Sequence, residues 1–516
     1  MHVLIRRWRN LIDVGVLTAT SIEPLPFWLI EFLAPLLTYT YLESQIGTPE
    51  AYDRHTGHYQ PVIAEQRRLY RLEPLVAAGH EMVEPTEGRL VTGPGFLAAI
   101  MQRLQVAGCQ VQYQDLRPLR PRPDCYQTDW DNVRQHFTFR AKQEACLEAM
   151  AASDGGILAA AMGFGKTRLF EAVCWLYPQA KVAIVVKSRD IAAKIAGRLT
   201  QHFPNVGLIT GQTKRVGDRI TVYTAGCLAH CDGDFDLLLC DEVHQLMSPH
   251  YSELLGRVFQ DTRNFGFTAT PTGRFDGANA KLEMFFGPQL FQLSYADAVK
   301  HQLVVPIHVR WLPIPLEQDP GCNRQGVALD RWGLWRNQQR NWLIAKDIRE
   351  HCSDEDQILC SVATVDHAIH LWQYLPDFTL CYSNTEADNF ETWVRTKLIP
   401  PTFEPITAKR RDQMRVAFEE GRLRRVIATD VWSTGVDFEQ LAVLYRCDGR
   451  ASEILNAQWP GRVSRLHTGK ECGVVVDCYD IFNSTLKRRS LARKANYARQ
   501  GWTQDWPSGR RLLDAV

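Results

Sequence analysis

What the chain has little of narrows its chemistry first. Formal net charge is only +1 over 516 residues, so no global basic field announces a polyanionic partner, and any grip on nucleic acid must come from local placement of cations. A long uninterrupted apolar run is also missing. The most hydrophobic early stretch, 26–41, is broken by Glu31 and Pro35 and falls short of the roughly 20 residues a membrane span needs, so it reads as core. The basic opening, 1–9, is not followed by an apolar segment with a small-residue cleavage site, which argues against secretion. The 14 cysteines are scattered without a repeated CxxC pair. Even the nearest approach to a metal cluster, Cys227, His230 and Cys231, is better explained by buried free thiols in a reducing compartment.

What is present is the composition of an ordinary folded protein, 45% hydrophobic and 23% charged, without repeats or low-complexity tracts. At about 100–200 residues per domain the length implies three or four units. From residue 156 onward, short β-rich apolar runs alternate with amphipathic segments, the pattern of parallel α/β domains. Strands are predicted at 157–161, 182–186, 220–223, 237–240 and 265–268. After a Pro-, Trp- and Gln-rich stretch, 306–339, the alternation restarts with strands at 357–362, 379–382, 425–428, 442–446 and 473–477. Upstream, the Arg-Pro run 117–123 favours extended backbone and reads as a linker. It fences off an N-terminal unit with a predicted helix at 96–107 between strands at 89–91 and 109–113, a small α+β domain.

Two local patterns carry chemistry. Met162-Gly163-Phe164-Gly165-Lys166-Thr167 follows an apolar strand and precedes a helical run, the context a phosphate-binding loop requires. Its glycines let backbone amides face phosphate oxygens, Lys166 neutralises the β and γ phosphates of ATP, and the Thr167 hydroxyl ligates Mg²⁺. The full pattern would have Gly at position 160, where this chain has Ala160. The second pattern is the apolar strand 237–240 ending in Asp241 and Glu242. Asp241 can hold Mg²⁺, and Glu242 can polarise an attacking water. An isolated acidic pair is as often solvated or a helix cap; together with the loop it makes an ATP site.

These residues also carry a resemblance. GFGKT, DEVH (241–244), Thr268-Ala269-Thr270-Pro271, the segment 428–437 and Gln458-Trp459-Pro460-Gly461-Arg462-Val463-Ser464-Arg465 resemble, in order and spacing, motifs I, II, III, V and VI of superfamily 2 helicases. Residues 140–143 resemble the adenine-reading element of that superfamily. The resemblance implies two tandem RecA-like domains with parallel sheets. It implies that Arg140 and Gln143 take part in nucleotide binding, with Gln143 reading the adenine edge, and that Gly435 and Asp437 lie against the nucleotide. Gln458 belongs to the catalytic set, and Arg462 and Arg465 act as arginine fingers, an effect on the order of 10³–10⁵ in rate. His244, Thr268 and Thr270 would relay the γ-phosphate state to the nucleic-acid face. The implied layout is an accessory, DNA-binding domain at 1–116, a linker at 117–136, RecA-like domain 1 at 137–305, a connector at 306–340, RecA-like domain 2 at 341–485 and a basic C-terminal tail or helix at 486–516.

For the track, phosphate contacts are expected from Lys187, Ser188, Arg189, Thr224 and Thr429, all placed after strands. The run 487–499 carries six basic residues and no acidic one, which suggests a helix near a phosphate backbone, or equally a solvated face. DEVH followed by TATPTGRFDG resembles XPB-related DNA translocases and UvsW-type branch-migration helicases more than DEAD-box RNA helicases, and 52–57 and 92–97 resemble their accessory region. The expectation is a monomeric, ATP-dependent motor on duplex, forked or branched DNA, largely indifferent to base sequence and without a membrane role. Alternatives are the motor subunit of a restriction or defence complex, an RNA helicase, or a nucleotide-gated scaffold without turnover.

Overall fold

The computed structural model describes residues 1–8, 11–18, 22–43, 52–53, 58–59, 63–73, 89–116, 123–231, 234–246, 249–259, 261–269, 279–383, 387–432, 438–451 and 459–506. By its internal contacts the chain divides into two units, Met1–Ala161 with Gly165–Leu293, and Met162–Phe164 with Ser294–Val516.

The first unit opens with a sheet of β1 (His2–Trp8), β2 (Leu11–Leu17), β3 (Tyr70–Glu73), β4 (Arg89–Thr92) and β5 (Gln110–Asp115), in the order β5-β1-β2-β4-β3, with the short strand Ile22–Glu23 beside β2. Successive strand residues point to opposite faces, so Val3, Ile5, Ile12 and Val14 share one core with Leu29, Ile30 and Leu33 of α1 (Phe27–Leu33) and with Ile100 and Leu104 of α2 (Leu97–Val106). The stretch 26–41 is thus core on one side only: Phe27 and Trp28 are 60% and 53% exposed, because a short helix lying on a sheet buries a single face. Beyond β4 the chain meets the helix Asn279–Phe286 backbone to backbone. A Cβ on Gly95 would stand 1.7 Å from the Glu283 carbonyl oxygen, so only glycine fits there.

The α/β part of this unit follows. α3 (Trp130–His136) docks through Asn132, whose Nδ2 donates to the Trp175 carbonyl at 2.8 Å, and through His136 stacked on the Trp175 ring. The segment 117–136, expected to be a linker, therefore holds packed structure in its second half; 117–122 lie outside the described residues. Next come α4 (Gln143–Ala151), β6 (Gly155–Ala160), α5 (Lys166–Leu176), β7 (Val182–Val186), α6 (Arg189–Leu199), β8 (Gly207–Ile209), β9 (Lys214–Arg215), β10 (Ile220–Thr224), β11 (Leu237–Cys240), β12 (Arg263–Thr268) and β13 (Gln289–Leu293). They build an eight-stranded sheet in the order β9-β8-β10-β7-β11-β12-β6-β13, parallel except for the β8–β9 pair. β7, β10 and β11 are buried along their whole length, as parallel strands covered on both faces must be.

The second unit holds β14 (Ile307–Pro313), α7 (Gln338–His351), β15 (Ile358–Ser361), β16 (Thr379–Cys381), β17 (Arg425–Ala428), β18 (Val443–Arg446), β19 (Gly473–Tyr479), α8 (Ser484–Arg499) and β20 (Thr503–Asp505). Their seven-stranded sheet runs β16-β17-β15-β18-β19-β14-β20, with every pair parallel. The α/β fold with parallel sheets that the alternation predicts is what the structure shows.

Two expected boundaries shift. The start of the connector is β14, a sheet strand paired with β19 and β20, in which Ile307, Val309 and Trp311 alternate inward; the Pro, Trp and Gln content of the surrounding stretch masked that alternation. The basic tail is likewise built into the fold, since β20 completes the sheet and α8 packs a cation inward. Arg493, 1% exposed, donates from Nε and Nη2 to the Asp477 carboxylate at 2.9 Å. Tyr497 donates its hydroxyl to the same carboxylate at 2.7 Å and accepts from Arg446 at 3.1 Å. A charged residue count could not reveal this, because it does not say which position of the helix faces a carboxylate on the neighbouring strand.

Removing one member of a buried ion pair strands the other. Arg493→Ala should therefore lower the unfolding free energy by about 3–5 kcal/mol in urea titration. Arg488→Ala, an exposed neighbour on the same helix, should change it by less than about 0.5 kcal/mol.

Candidate active site

Parallel strands deliver their C-terminal ends to one edge of a sheet, and loops at that edge collect functional groups. In the first unit, β6 leads into the loop ahead of Lys166, β11 into Asp241 and Glu242, and β12 ends on Thr268. The order β11-β12-β6 sets Thr268 between the strand of the carboxylates and the strand of the loop. The ends of β7 and β10 bring Lys187, Ser188, Arg189 and Thr224 to the same edge.

The loop has the conformation its glycines permit. Gly163 and Gly165 take φ of 87° and 86°, left-handed values that L side chains rarely adopt. Gly165 has a second reason to lack a side chain: a Cβ there would stand 2.9 Å from the Gln143 Nε2. Gln143 is fully buried, and its Oε1 accepts from the Arg140 amide at 2.8 Å, which fixes the carboxamide beside the loop; the Arg140 side chain is exposed. Lys166 starts α5 and is 9% exposed; its ammonium donates to the Ala160 carbonyl at 3.0 Å. Ala160 is the last residue of β6, buried and paired with Leu293 of β13, and the left-handed turn at Gly163 and Gly165 forms with alanine in place of the expected Gly.

The carboxylates occupy a strained and costly position. Burial, and then the charge of adjacent Glu242, push the Asp241 carboxyl up to about 7, against the opposing pull of Lys166 and a hydrogen bond from the Glu242 amide. Glu242 itself has φ of 44°, in the left-handed region where a non-glycine residue stores about 1–3 kcal/mol. Two carboxylates crowded at a strand end, one of them buried, form an oxygen donor set that a divalent cation would satisfy. His244 and Thr268, both buried, share a hydrogen bond of 2.9 Å between Nδ1 and Oγ1, and the same Nδ1 lies 3.4 Å from Glu242 Oε2. A contiguous polar chain thus runs from the carboxylate to the end of β12.

The other sequence-predicted residues are distributed as follows. Thr167 is half-buried in the first turn of α5. Ser188 caps α6, accepting from the Asp190 amide at 3.3 Å, while Lys187 and Arg189 are exposed beside it. Thr224 is buried at the end of β10, and in the second unit Thr429 is buried after β17, its amide donating to Cys381 at 3.1 Å. Arg462 closes a single 3₁₀ turn, Pro460–Arg462, with its guanidinium 5.7 Å from the Trp459 ring centroid; Arg465 follows, half-buried. Thr270, Gly435, Asp437 and Gln458 lie outside the described residues. Sequence reasoning missed Arg450, which donates to Asp430 at 2.6 Å and to the Ala363 carbonyl at 2.9 Å, tying the segment after Thr429 to the end of β15. No motif marks it; only the parallel alignment of β15, β17 and β18 makes it adjacent.

Residues 136–273 match the family described as Type III restriction enzyme, res subunit. The chain is 21% identical over 362 residues to the DNA 3'-5' translocase XPB2 of Sulfurisphaera tokodaii, a match covering 64% of this chain and 80% of that one. Among solved structures, S. cerevisiae Dbp5 L327V bound to RNA and ADP BeF3 aligns with a TM-score of 0.50 at 14% identity, over 72% of this chain and 91% of that one, a likeness of fold. T4 UvsW aligns over 98% of this chain and 99% of its own at 14% identity, with a TM-score of 0.39. The chain is similar to superfamily 2 helicases and translocases of the XPB kind.

The strain at Glu242 is testable apart from any activity. Glu242→Gly should raise the unfolding free energy by about 1 kcal/mol, since it relieves both the backbone and the charge beside Asp241. Thermal unfolding reads the change, and a loss of similar size would show that the carboxylate holds the site together.

Proposed function

We propose that this protein is an ATP-driven DNA translocase or helicase that remodels duplex or branched DNA, of fork or Holliday-junction type, in replication, recombination or repair. The observation that carries the reading is the convergence of the glycine loop with Lys166, the Asp241–Glu242 pair and the His244–Thr268 hydrogen bond on one edge of a parallel sheet. In this reading Lys166 holds the β and γ phosphates, Gln143 with Arg140 receives the adenine, and the Thr167 hydroxyl and the Asp241 carboxylate hold Mg²⁺. Mg²⁺, when bound, neutralises charge on the phosphate oxygens. Glu242 orients the attacking water and takes its proton, and its position beside His244 links that event to Thr268 and, with it, Thr270. Gly435, Asp437, Gln458, Arg462 and Arg465 are the second unit's contribution, the two arginines meeting charge that develops on the transferred phosphoryl group.

In this reading the cycle of ATP binding and hydrolysis drives movement along DNA. Lys187, Ser188, Arg189, Thr224 and Thr429 sit at strand ends where they can meet backbone phosphates, which makes binding steeply salt-dependent and largely sequence-independent. The proposed layout keeps an accessory DNA-binding region at the N-terminus and two RecA-like domains after it.

A second reading is favoured by the match of 136–273 to the restriction-enzyme family: the chain would be the motor of a restriction or defence complex. Affinity capture that returns a nuclease or methyltransferase supports it, whereas fork regression by the purified chain alone opposes it.

Three variants test the ATP site through phosphate release and nucleotide binding. Lys166→Ala should lose most ATP affinity. Glu242→Gln should bind ATP and stop turnover; full turnover in that variant removes Glu242 from its role. Arg465→Ala should slow hydrolysis on the order of 10³-fold with nucleotide affinity largely retained. Forked, four-way and duplex DNA should stimulate hydrolysis more than RNA; equal stimulation by single-stranded RNA would make this an RNA helicase.

A further inference from the structure

The Trp-rich segment between the two predicted α/β domains has no part in ATP chemistry, yet the structure gives it a definite shape. After the helical turn Gly326–Leu329 the chain forms a π-helix, Asp330–Trp335, a costly conformation that usually marks a functional position. It is held from below: Leu329 and Leu334 are buried with Leu486 of α8, and Asn337 Nδ2 donates to the Gly333 carbonyl at 3.0 Å. The one large apolar side chain it turns outward is Trp332, 41% exposed. The guanidinium carbons of Arg324 and Arg336 stand 5.4 and 5.7 Å from its ring centroid, and Arg331 beside it is exposed.

Exposing an indole to water is unfavourable. Nearby carboxylates do not cancel the cations as a set: Asp330 pairs with Arg489, and Asp366 takes both hydrogen bonds of Arg336, while Arg324 and Arg331 face solvent. An exposed indole that takes guanidiniums over its ring, one of them the exposed Arg324 that also donates to the Pro320 carbonyl at 2.6 Å, fits a ligand that is both planar and anionic. A nucleobase with its phosphate meets both demands; an apolar peptide would leave the cations desolvated without partners.

We propose that Trp332, with Arg324 and Arg331, is a stacking site for an unpaired base of single-stranded nucleic acid on the second unit. Trp332 supplies the stack and the arginines take the flanking phosphates. The site rests on the nucleic-acid reading above and adds to it a contact for a separated strand. Such a site would favour substrates that contain a single-stranded branch over blunt duplex.

The test measures binding of fluorescein-labelled oligodeoxythymidylate and of blunt duplex DNA by anisotropy, using the full chain, Trp332→Ala, Trp332→Phe and Arg324→Ala. Loss of one base stack should weaken oligodeoxythymidylate binding about tenfold in Trp332→Ala, with Trp332→Phe restoring most of it. Arg324→Ala should reduce the salt dependence of that binding. Unchanged thermal unfolding shows that each variant is folded. Trp332→Ala that binds oligodeoxythymidylate like the unmodified chain overturns the site while duplex binding by the unmodified chain upholds the broader reading. Trp332→Ala that changes only sedimentation makes the patch a contact between copies and equally overturns the site. An unmodified chain that binds neither DNA ends both.

Discussion

The functional edge of the first unit depends on one constraint, the parallel alignment of β11, β12 and β6. Parallel strands point the same way, so residues that are far apart in the chain emerge on a common edge. Lys166, Asp241 and Thr268 each end or follow a different strand. Slipping any one of these strands would separate the ammonium from the carboxylates it partly neutralises. The complete burial of β11 prevents this, because its four residues are locked on both faces by neighbouring side chains.

Within that frame the site stores electrostatic and conformational cost. Asp241 is held in a place where its charged form is disfavoured, and Glu242 is held in a left-handed backbone state. Both are arrangements that a folded protein tolerates only when surrounding structure over-determines them, and the Asp241 charge becomes favourable when a positive charge arrives. The hydrogen bond between His244 and Thr268 then has physical meaning, since it joins the strained residue's surroundings to the end of the neighbouring strand. The second unit differs in turning three of its arginines inward. Arg340 with Asp480, Arg446 with Asp448 and Arg493 with Asp477 are all buried pairs, which consume arginines that a reading of charge alone would assign to solvent or phosphate.

This explains why some of the sequence reading carried through and some did not. The parallel α/β architecture was legible because buried strands leave continuous apolar runs, and 182–186 and 237–240 coincide with β7 and β11. The glycine loop was legible because left-handed backbone demands glycine at 163 and 165. β14 alternates Ile307, Val309 and Trp311 inward but was passed over inside a stretch read as irregular, and β20, three polar residues, has no periodic signature of its own. Ser188, read as a phosphate contact, is also a helix cap, a role that its position before an amphipathic helix allowed and only the hydrogen bond reveals.

By itself the sequence determined the order of candidate site residues along the chain: a glycine loop with its lysine, then a carboxylate pair, then a Thr-rich strand end, then an arginine pair. Local rules suffice for these, because backbone sterics and apolar periodicity act over a few residues. Tertiary structure decided which of these meet, and which charges are spent holding the fold together. Arg493 and Arg488 are indistinguishable as letters in a basic helix, yet one is sealed against Asp477 and the other faces water. The difference comes from long-range packing, where the free energy of a charge depends on its surroundings in space rather than on its neighbours in the chain.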